Sequence, residues 1–286
     1  MGSDVTKATP RLRFSGAMLS DVGLVRALNE DAVVYVTPQN PETAGGRGSL
    51  ALVADGMGGH AAGEIASALA AEVVRRVYGE LDGPVPEVFA AAFAAANRAI
   101  LEWAENNPDC KGMGTTCTAL ALRDDQAWLA HIGDSRAYLL RGRAIEQLTE
   151  DQTLVAKLVS DGMLTPEEAA NSPIQNVILQ ALGTNPEIQP AISQQGMPLG
   201  AGDVLVLCSD GLSNMVPDAA IADLAGRLPP HEACRALIDA ALAAGGSDNV
   251  SVGVFCVTAA AEEVTADQQR TTRRIKVAEM RRGEDA

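Results

Sequence analysis

Two apolar periodicities alternate along the chain. Short runs at Phe14–Ser20, 32–37 and Leu50–Ala54 read as strands, and 204–208 and 250–257 read the same way further on. Between them, Ile65, Leu69, Val73 and Val77 recur at helical spacing over residues 60–78, and Val88, Phe89, Phe93, Ile100 and Leu101 do so over 86–105. Four strands then follow in quick succession at 115–122, 127–132, 137–140 and 144–148. The first two are separated only by the polar turn Arg123–Gln126, and such short connections imply antiparallel pairing. Helical patterns return at 218–226 and 231–244. Residues 151–183 are also helical in pattern, and Thr165-Pro166-Glu167-Glu168 forms a capping box with proline at the first helical position. This stretch interrupts the strands and predicts an inserted flap, weighed against an ordinary surface excursion.

The expected organisation is a flexible N-terminus at 1–10, one domain at 11–258 and a charged, disordered tail at 259–286. No Pro/Ser-rich linker divides the interior, and the last 28 residues hold six acidic and six basic side chains with few large apolar ones. At 47% hydrophobic but only 3% aromatic, the core must be built from Ala, Val, Leu and Ile. A net charge of −15 repels nucleic-acid phosphates and anionic membrane surfaces, so neither is an expected partner.

The five cysteines form no C-x-x-C pair and three lie in strand-like runs, which predicts reduced, buried thiols in a cytoplasmic protein. No apolar stretch approaches the roughly 20 residues of a membrane helix. Met1-Gly2-Ser3-Asp4-Val5-Thr6 fits the loose myristoylation pattern, which a common expression scar also fits.

The chemistry lies in aspartates at the ends of predicted strands, in Asp55-Gly56, Gly133-Asp134-Ser135, Asp210-Gly211 and Asp248-Asn249. A single Asp-Gly is usually only a turn. Carboxylates at several strand ends can converge, however, and clustered carboxylates repel unless a cation lies among them. Oxygen-only ligand sets select hard divalent ions, so the first expectation is Mg²⁺ or Mn²⁺.

Competing chemistries fit less well. Gly56, Gly58 and Ala61 match G-x-G-x-x-A, but two helices follow where a dinucleotide fold needs a strand ending in an acid. Cys117 and Arg123 stand six apart, as a cysteine phosphatase would need, yet Thr118–Leu122 is a strand pattern without glycine. There is no G-x-S-x-G elbow, and the three histidines lack zinc spacing.

Six blocks stand in an order and spacing that resembles the PPM-type metal-dependent protein serine/threonine phosphatases, the protein phosphatase 2C family. They are Arg26-x-x-Asn29-Glu30-Asp31, Asp55-Gly56-Met57-Gly58-Gly59-His60, Gly114-Thr115-Thr116, Gly133-Asp134-Ser135-Arg136, Ser209-Asp210-Gly211 and Ser247-Asp248-Asn249. The stretch 151–183 is similar to the flap of bacterial members.

The resemblance implies an α+β fold, a four-layer α/β/β/α sandwich of two antiparallel sheets flanked by helices, with a binuclear Mn²⁺/Mg²⁺ centre at one end. It implies that Asp55 bridges the two ions, the Gly56 carbonyl reaches them through water, and Asp210 and Asp248 complete the shells. Asp31 would hold water, Asp134 with Asp210 would match a third, weaker metal position, and Arg26 would grip the substrate phosphate. A water between two such cations ionises near neutral pH and attacks phosphorus in line. Phosphoprotein substrates, an opposing serine/threonine kinase and a monomeric state are the expected partnerships.

Two positions depart from the family pattern: Met57 stands where animal relatives place a histidine, and Asn214 where many members place an acid for the third metal. His60 is expected to support the loop rather than catalyse. A catalytically degenerate protein that binds phosphoproteins without turnover is the alternative.

Overall fold

The computed structural model describes residues 12–37, 47–58, 62–170 and 172–259. In chain order the strands are β1 (Leu12–Asp21), β2 (Asp31–Val36), β3 (Ser49–Met57), β4 (Gly114–Thr115), β5 (Cys117–Arg123), β6 (Gln126–Ile132), β7 (Arg136–Arg141), β8 (Ala144–Gln147), β9 (Ala191–Ile192), β10 (Met197–Pro198), β11 (Val204–Cys208) and β12 (Val250–Ala259). The helices are α1 (Ala62–Glu80), α2 (Val85–Asn106), α3 (Leu154–Ser160), α4 (Pro166–Ala170), α5 (Asp210–Ser213), α6 (Asp218–Arg227) and α7 (Pro230–Ala243).

The strands form two antiparallel sheets. One has the order β1-β12-β11-β7-β8; the other runs β10-β6-β5-β3-β2, with β4 added to β3 and β9 to β6. Three separate apolar layers make this a four-layer sandwich. Ala51, Val53, Leu120, Leu205, Leu207 and Phe255 interleave between the sheets. The small faces of α1 and α2, rich in alanine, close over the outer side of the second sheet around Phe89, Phe93 and Ile100. The outer side of the first sheet is covered by α6 and α7 through Ile221, Leu237 and Ile238. With few aromatics to act as spacers, alanine-lined helices pack closely on β-branched strands, as the composition predicts.

Most predicted elements fall within two or three residues of the observed ones, but three differ in ways that matter. First, β3 does not stop at Ala54: it continues through Asp55, Gly56 and Met57, because Gly56 and Met57 pair with Thr115 and Gly114 of β4. Asp55 therefore stands on a hydrogen-bonded strand rather than on a turn. Second, Asp210 begins the short helix α5 rather than a turn.

Third, the flap is helical only in part. Helices α3 and α4 are followed by irregular chain from 172 to 190. The capping box is formed as predicted: the Glu168 amide donates to Thr165 Oγ1 and the Thr165 amide to Glu168 Oε2. All five cysteines are free as expected, and Cys117, Cys208 and Cys234 are buried, but Cys110 and Cys256 are only half-buried, a correction to the expectation of buried thiols. Expectations for residues 1–10, for His60 and for the tail beyond Ala259 lie outside the described residues. No described helix is long and apolar enough to cross a membrane.

Candidate metal and phosphate site

Five of the candidate acids come together at one end of the sandwich. Asp31 and Asp55 lie directly opposite one another in the β2–β3 ladder. Directly opposed residues on antiparallel strands are only about 4.5–5.5 Å apart at Cα. The β3 backbone at this point is held on both sides. The Asp55 amide donates to Thr116 Oγ1 at 3.0 Å, and the Thr116 amide and the Thr115 hydroxyl donate to the Asp55 carbonyl at 2.9 and 2.8 Å. Gly56 has no room for a side chain, since a Cβ there would lie 2.1 Å from the Gly63 carbonyl oxygen and 2.6 Å from that of Glu30.

The other sheet contributes Asp210 just beyond β11, Asp248 just before β12 and Asp134 in the β6–β7 connection. Ser209 ties the two sheets together: its hydroxyl donates to Asp31 Oδ2 at 2.8 Å while accepting the Ser251 amide at 2.9 Å. Asn249 fixes the Asp248 turn against the β1–β2 connection. Its Nδ2 donates to the carbonyls of Val22 and Leu28, and its Oδ1 accepts the Glu30 amide. Thr116 Oγ1 and Ser135 Oγ lie 2.7 Å apart, which fixes the backbone beside Asp134.

The electrostatics show how close the acids are. The Asp55 and Asp210 carboxyls stand close enough to act on one another. Burial first, then the charges of Asp31, Asp210 and Asp134, push Asp55 well above the ordinary carboxylate range. Asp31 is pushed up to about 7, mainly by burial, with Asp210 and Asp248 adding repulsion against the pull of the serine hydroxyls. Asp134 also rises to about 7, through burial and then Asp210 and Asp151. Asp210 is raised by burial and by Asp248.

Arg26 reaches into the rim of this cluster. Its Nη2 donates to Asp248 Oδ2 at 2.8 Å and its Nη1 lies 3.9 Å from Glu30 Oε2, while roughly half of the side chain stays exposed. The Asp248 hydrogen bond raises its pKa further, so the guanidinium is always charged. A cavity of about 720 Å³ opens beside the cluster, bounded by Asp134, Asp210 and Asp248 on one side and by Val155 and Ala169 of the flap on the other.

The donor set suits a hard divalent cation. It is all oxygen, it is more negative than its surroundings can balance, and Asp31 Oδ1 is buried without a hydrogen-bond partner. Among the described residues no three acidic, histidine or cysteine side chains form a closed cage about one point. Mg²⁺ and Mn²⁺ do not require one, because Mg²⁺ in particular keeps several waters and needs only one or two carboxylates.

Asn214, four residues beyond Asp210, donates its Nδ2 to Asp210 Oδ2 at 3.1 Å, so a neutral amide occupies one side of that carboxylate. The cysteine alternative fails on geometry. Cys117 and Arg123 begin and end the same strand, roughly 20 Å apart at the strand rise, and burial pushes the Cys117 thiol up to about 12.

Thr115, Thr116, Ser135, Ser209 and Asn249 stand within the six blocks, but the sequence assigns them no role. Their work is to orient the acids. The signal was their position beside an aspartate or, for the threonines, in a block that carries no acid of its own. Ser251, outside every block, left no signal.

An antiparallel double sandwich with acids gathered at one end defines a metal-dependent phosphatase class, and the chain belongs to it: the pattern of the protein phosphatase 2C family matches residues 27–244. Its relatives include the serine/threonine protein phosphatase PstP of Mycobacterium tuberculosis, 43% identical over 253 residues, covering 87% of this chain and 46% of that protein. The chain thus spans about half the length of that relative. Protein phosphatase PhpP of Streptococcus pneumoniae is 40% identical over 243 residues, covering 83% of this chain and 95% of PhpP. Among solved structures, the M. tuberculosis phosphatase PstP/Ppp superposes with a TM-score of 0.76 at 41% identity, covering 86% of this chain and 98% of that one. The PstP catalytic domain in complex with two manganese ions gives a TM-score of 0.75 at 40% identity, covering 86% and 99%.

Proposed function

We propose that this chain is a metal-dependent protein phosphatase that removes phosphate from phosphoserine and phosphothreonine in proteins, using two Mn²⁺ or Mg²⁺ ions. The observation that carries the reading is the convergence of Asp31, Asp55, Asp134, Asp210 and Asp248, which interact with one another although they come from distant parts of the chain. A pair of such cations supplies two things: a lowered water pKa, from about 15.7 toward neutrality, and positive charge against the phosphoryl oxygens.

The residues of the chain take complementary parts. Asp55, fixed on its strand, would hold both ions, with Asp210 and Asp248 completing the set and the Gly56 carbonyl acting through water. Asp31, held by Ser209, would orient the attacking water. Arg26 swings from Asp248 to the substrate phosphate, where a planar guanidinium can make paired hydrogen bonds. Asp134 with Asp210 would form a third, weaker position, weakened further by the Asn214 amide on Asp210. Met57 supplies no proton, so the leaving alkoxide is protonated from water.

The ions that the acid cluster would hold, together with Arg26, would also explain how an acidic protein takes an anionic substrate, by placing positive charge at the site. The chain acts as a monomer in the cytoplasm, opposing a serine/threonine kinase.

Hydrolysis of a phosphothreonine peptide tests the reading. It should require added Mn²⁺ or Mg²⁺ and stop with a chelator. Metal-independent turnover blocked by thiol alkylation would overturn it. Tight metal binding with no cleavage of peptide or aryl phosphate would favour a binder without turnover.

A further inference from the structure

The connection between β1 and β2 is a firmly anchored loop whose apolar side chains nevertheless face outward. Asn249 Nδ2 donates to the carbonyls of both Val22 and Leu28 at 2.9 Å, and the Leu24 amide donates to the Gly246 carbonyl at 2.8 Å. Gly23 has φ +79° and presses on the segment that carries Asp248: a Cβ there would lie 2.2 Å from the Asp248 carbonyl oxygen. Its shape is thus set by backbone contacts, not by burial of its side chains. Leu24 is 67% exposed, Val25 70% and Leu28 50%.

Scattered exposed leucines need no explanation, but a cluster on one fixed loop marks a surface that meets something. Arg26 stands directly beside Val25, its guanidinium on Asp248. Whatever docks there carries a phosphate for Arg26 and an apolar group a few ångströms away. An extended peptide advances about 3.3 Å per residue, so the side chains next to a phosphorylated residue fall within that reach. The charges around Arg26 sharpen the choice. Asp248 and Glu30 both face it, so an acidic neighbour on the peptide would meet like charge while Arg26 was engaged by the phosphate.

We propose that Leu24 and Val25 form a docking lip that receives an apolar side chain next to the phosphorylated residue of the protein substrate, making sites with apolar neighbours better substrates than sites with acidic ones. The proposal rests on the phosphatase reading and deepens it. The lip acts in substrate binding and not in the chemical step, so it changes KM while kcat stays.

The test compares the full chain with its Leu24→Ser/Val25→Ser variant on three substrates under saturating Mn²⁺. One is a phosphothreonine peptide with leucine or valine flanking the phosphoresidue, the second is the same peptide with aspartate there, and the third is para-nitrophenyl phosphate. The expected result is a KM about tenfold higher for the apolar peptide in the variant, kcat within about twofold, and no change on para-nitrophenyl phosphate. The wild-type preference for apolar over acidic neighbours should shrink by the same factor.

Equal losses on both peptides, or no loss, would overturn the lip. A matching loss on para-nitrophenyl phosphate would overturn it too, because the loop would then act only by holding Arg26. Wild-type binding to lipid vesicles, or a concentration-dependent dimer, abolished by the variant without any change in peptide KM, would give the surface to a membrane or to a second copy. If the wild type cleaved no phosphate ester at all, it is the phosphatase reading that would fail, and binding of the two peptides would still measure the lip.

Discussion

The two sheets hold their acids by different means. On the β2–β3 side, Asp31 and Asp55 are set by ladder register, and a slip of one residue would turn both side chains to the opposite face. On the β11–β12 side, Asp210 and Asp248 lie just outside the strands, where the Asn214 side chain donates to Asp210 and the Asn249 amide and the Arg26 guanidinium donate to Asp248. The lesson is that the first pair is fixed by the fold itself, whereas the second pair can be loosened without unfolding anything. Substitutions on the two sides should therefore separate stability from metal affinity.

The largest effect breaks the cluster outright. Asp210→Asn should lower kcat/KM on a phosphopeptide by on the order of 10³-fold, with the circular-dichroism spectrum unchanged. Activity within tenfold of wild type would remove Asp210 from the metal site.

Next is Asn249→Ala, which cuts the β1–β2 loop from the Asp248 turn. It should cost roughly 10–100-fold in kcat/KM, as loss of an outer orienting group does, and about 1–3 kcal/mol of stability for the carbonyls and amide left unpaired. Denaturant unfolding and steady-state kinetics on the same sample measure both.

A finer pair sharpens the contrast. Asn214→Ala should raise the Mn²⁺ Kd about tenfold with little change in Tm, because its exposed side-chain amide orients the Asp210 carboxylate. Thr116→Val removes a buried hydroxyl from the ladder side. It should cost about 1–2 kcal/mol of stability and leave the Mn²⁺ Kd within about threefold. Equal effects on metal affinity would erase the distinction between the sides.

The smallest effect concerns pH. His131 is buried between the Thr118 hydroxyl and the Glu150 carbonyl, just ahead of the flap, and burial lowers its pKa below the ordinary value. The unfolded chain then takes up a proton more readily than the folded one. The His131 contribution to stability should fall as pH drops below about 6.5 toward the lowered folded value, and should not change above it; in the metal-free chain the raised Asp31 and Asp134 carboxyls contribute with the opposite sign, so the difference between two proteins is what reads it. Thermal melts of wild type and His131→Gln across that window should show the wild type losing stability relative to the variant on acidification. A wild type that gained stability relative to His131→Gln there would contradict it.

Much of this arrangement could be read from the sequence, for physical reasons that also explain the misses. Strands such as Val204–Cys208 announce themselves because burial on both faces demands an unbroken apolar run. The antiparallel pairing of β5 with β6 followed from a connection too short for any other. The continuation of β3 through Asp55 could not be seen, because Asp-Gly is the residue pair that turns favour and its partner strand, Gly114–Thr115, is only two residues long. The candidate acids were visible as a recurring device at strand ends. The groups that orient them were not, since a serine or threonine hydroxyl carries no signature of its partner until the chain folds. Ser251, placed by the alternation of β12, is the clearest case.

The central claim is that acids from both sheets converge to hold two cations, and calorimetric titration of Mn²⁺ into the chelator-treated chain tests it most directly. Two equivalents should bind to the wild type, and Asp55→Asn, which removes the carboxylate proposed to hold both ions, should abolish or severely weaken both. Binding of a single ion, or a stoichiometry and affinity unchanged by Asp55→Asn, would contradict it.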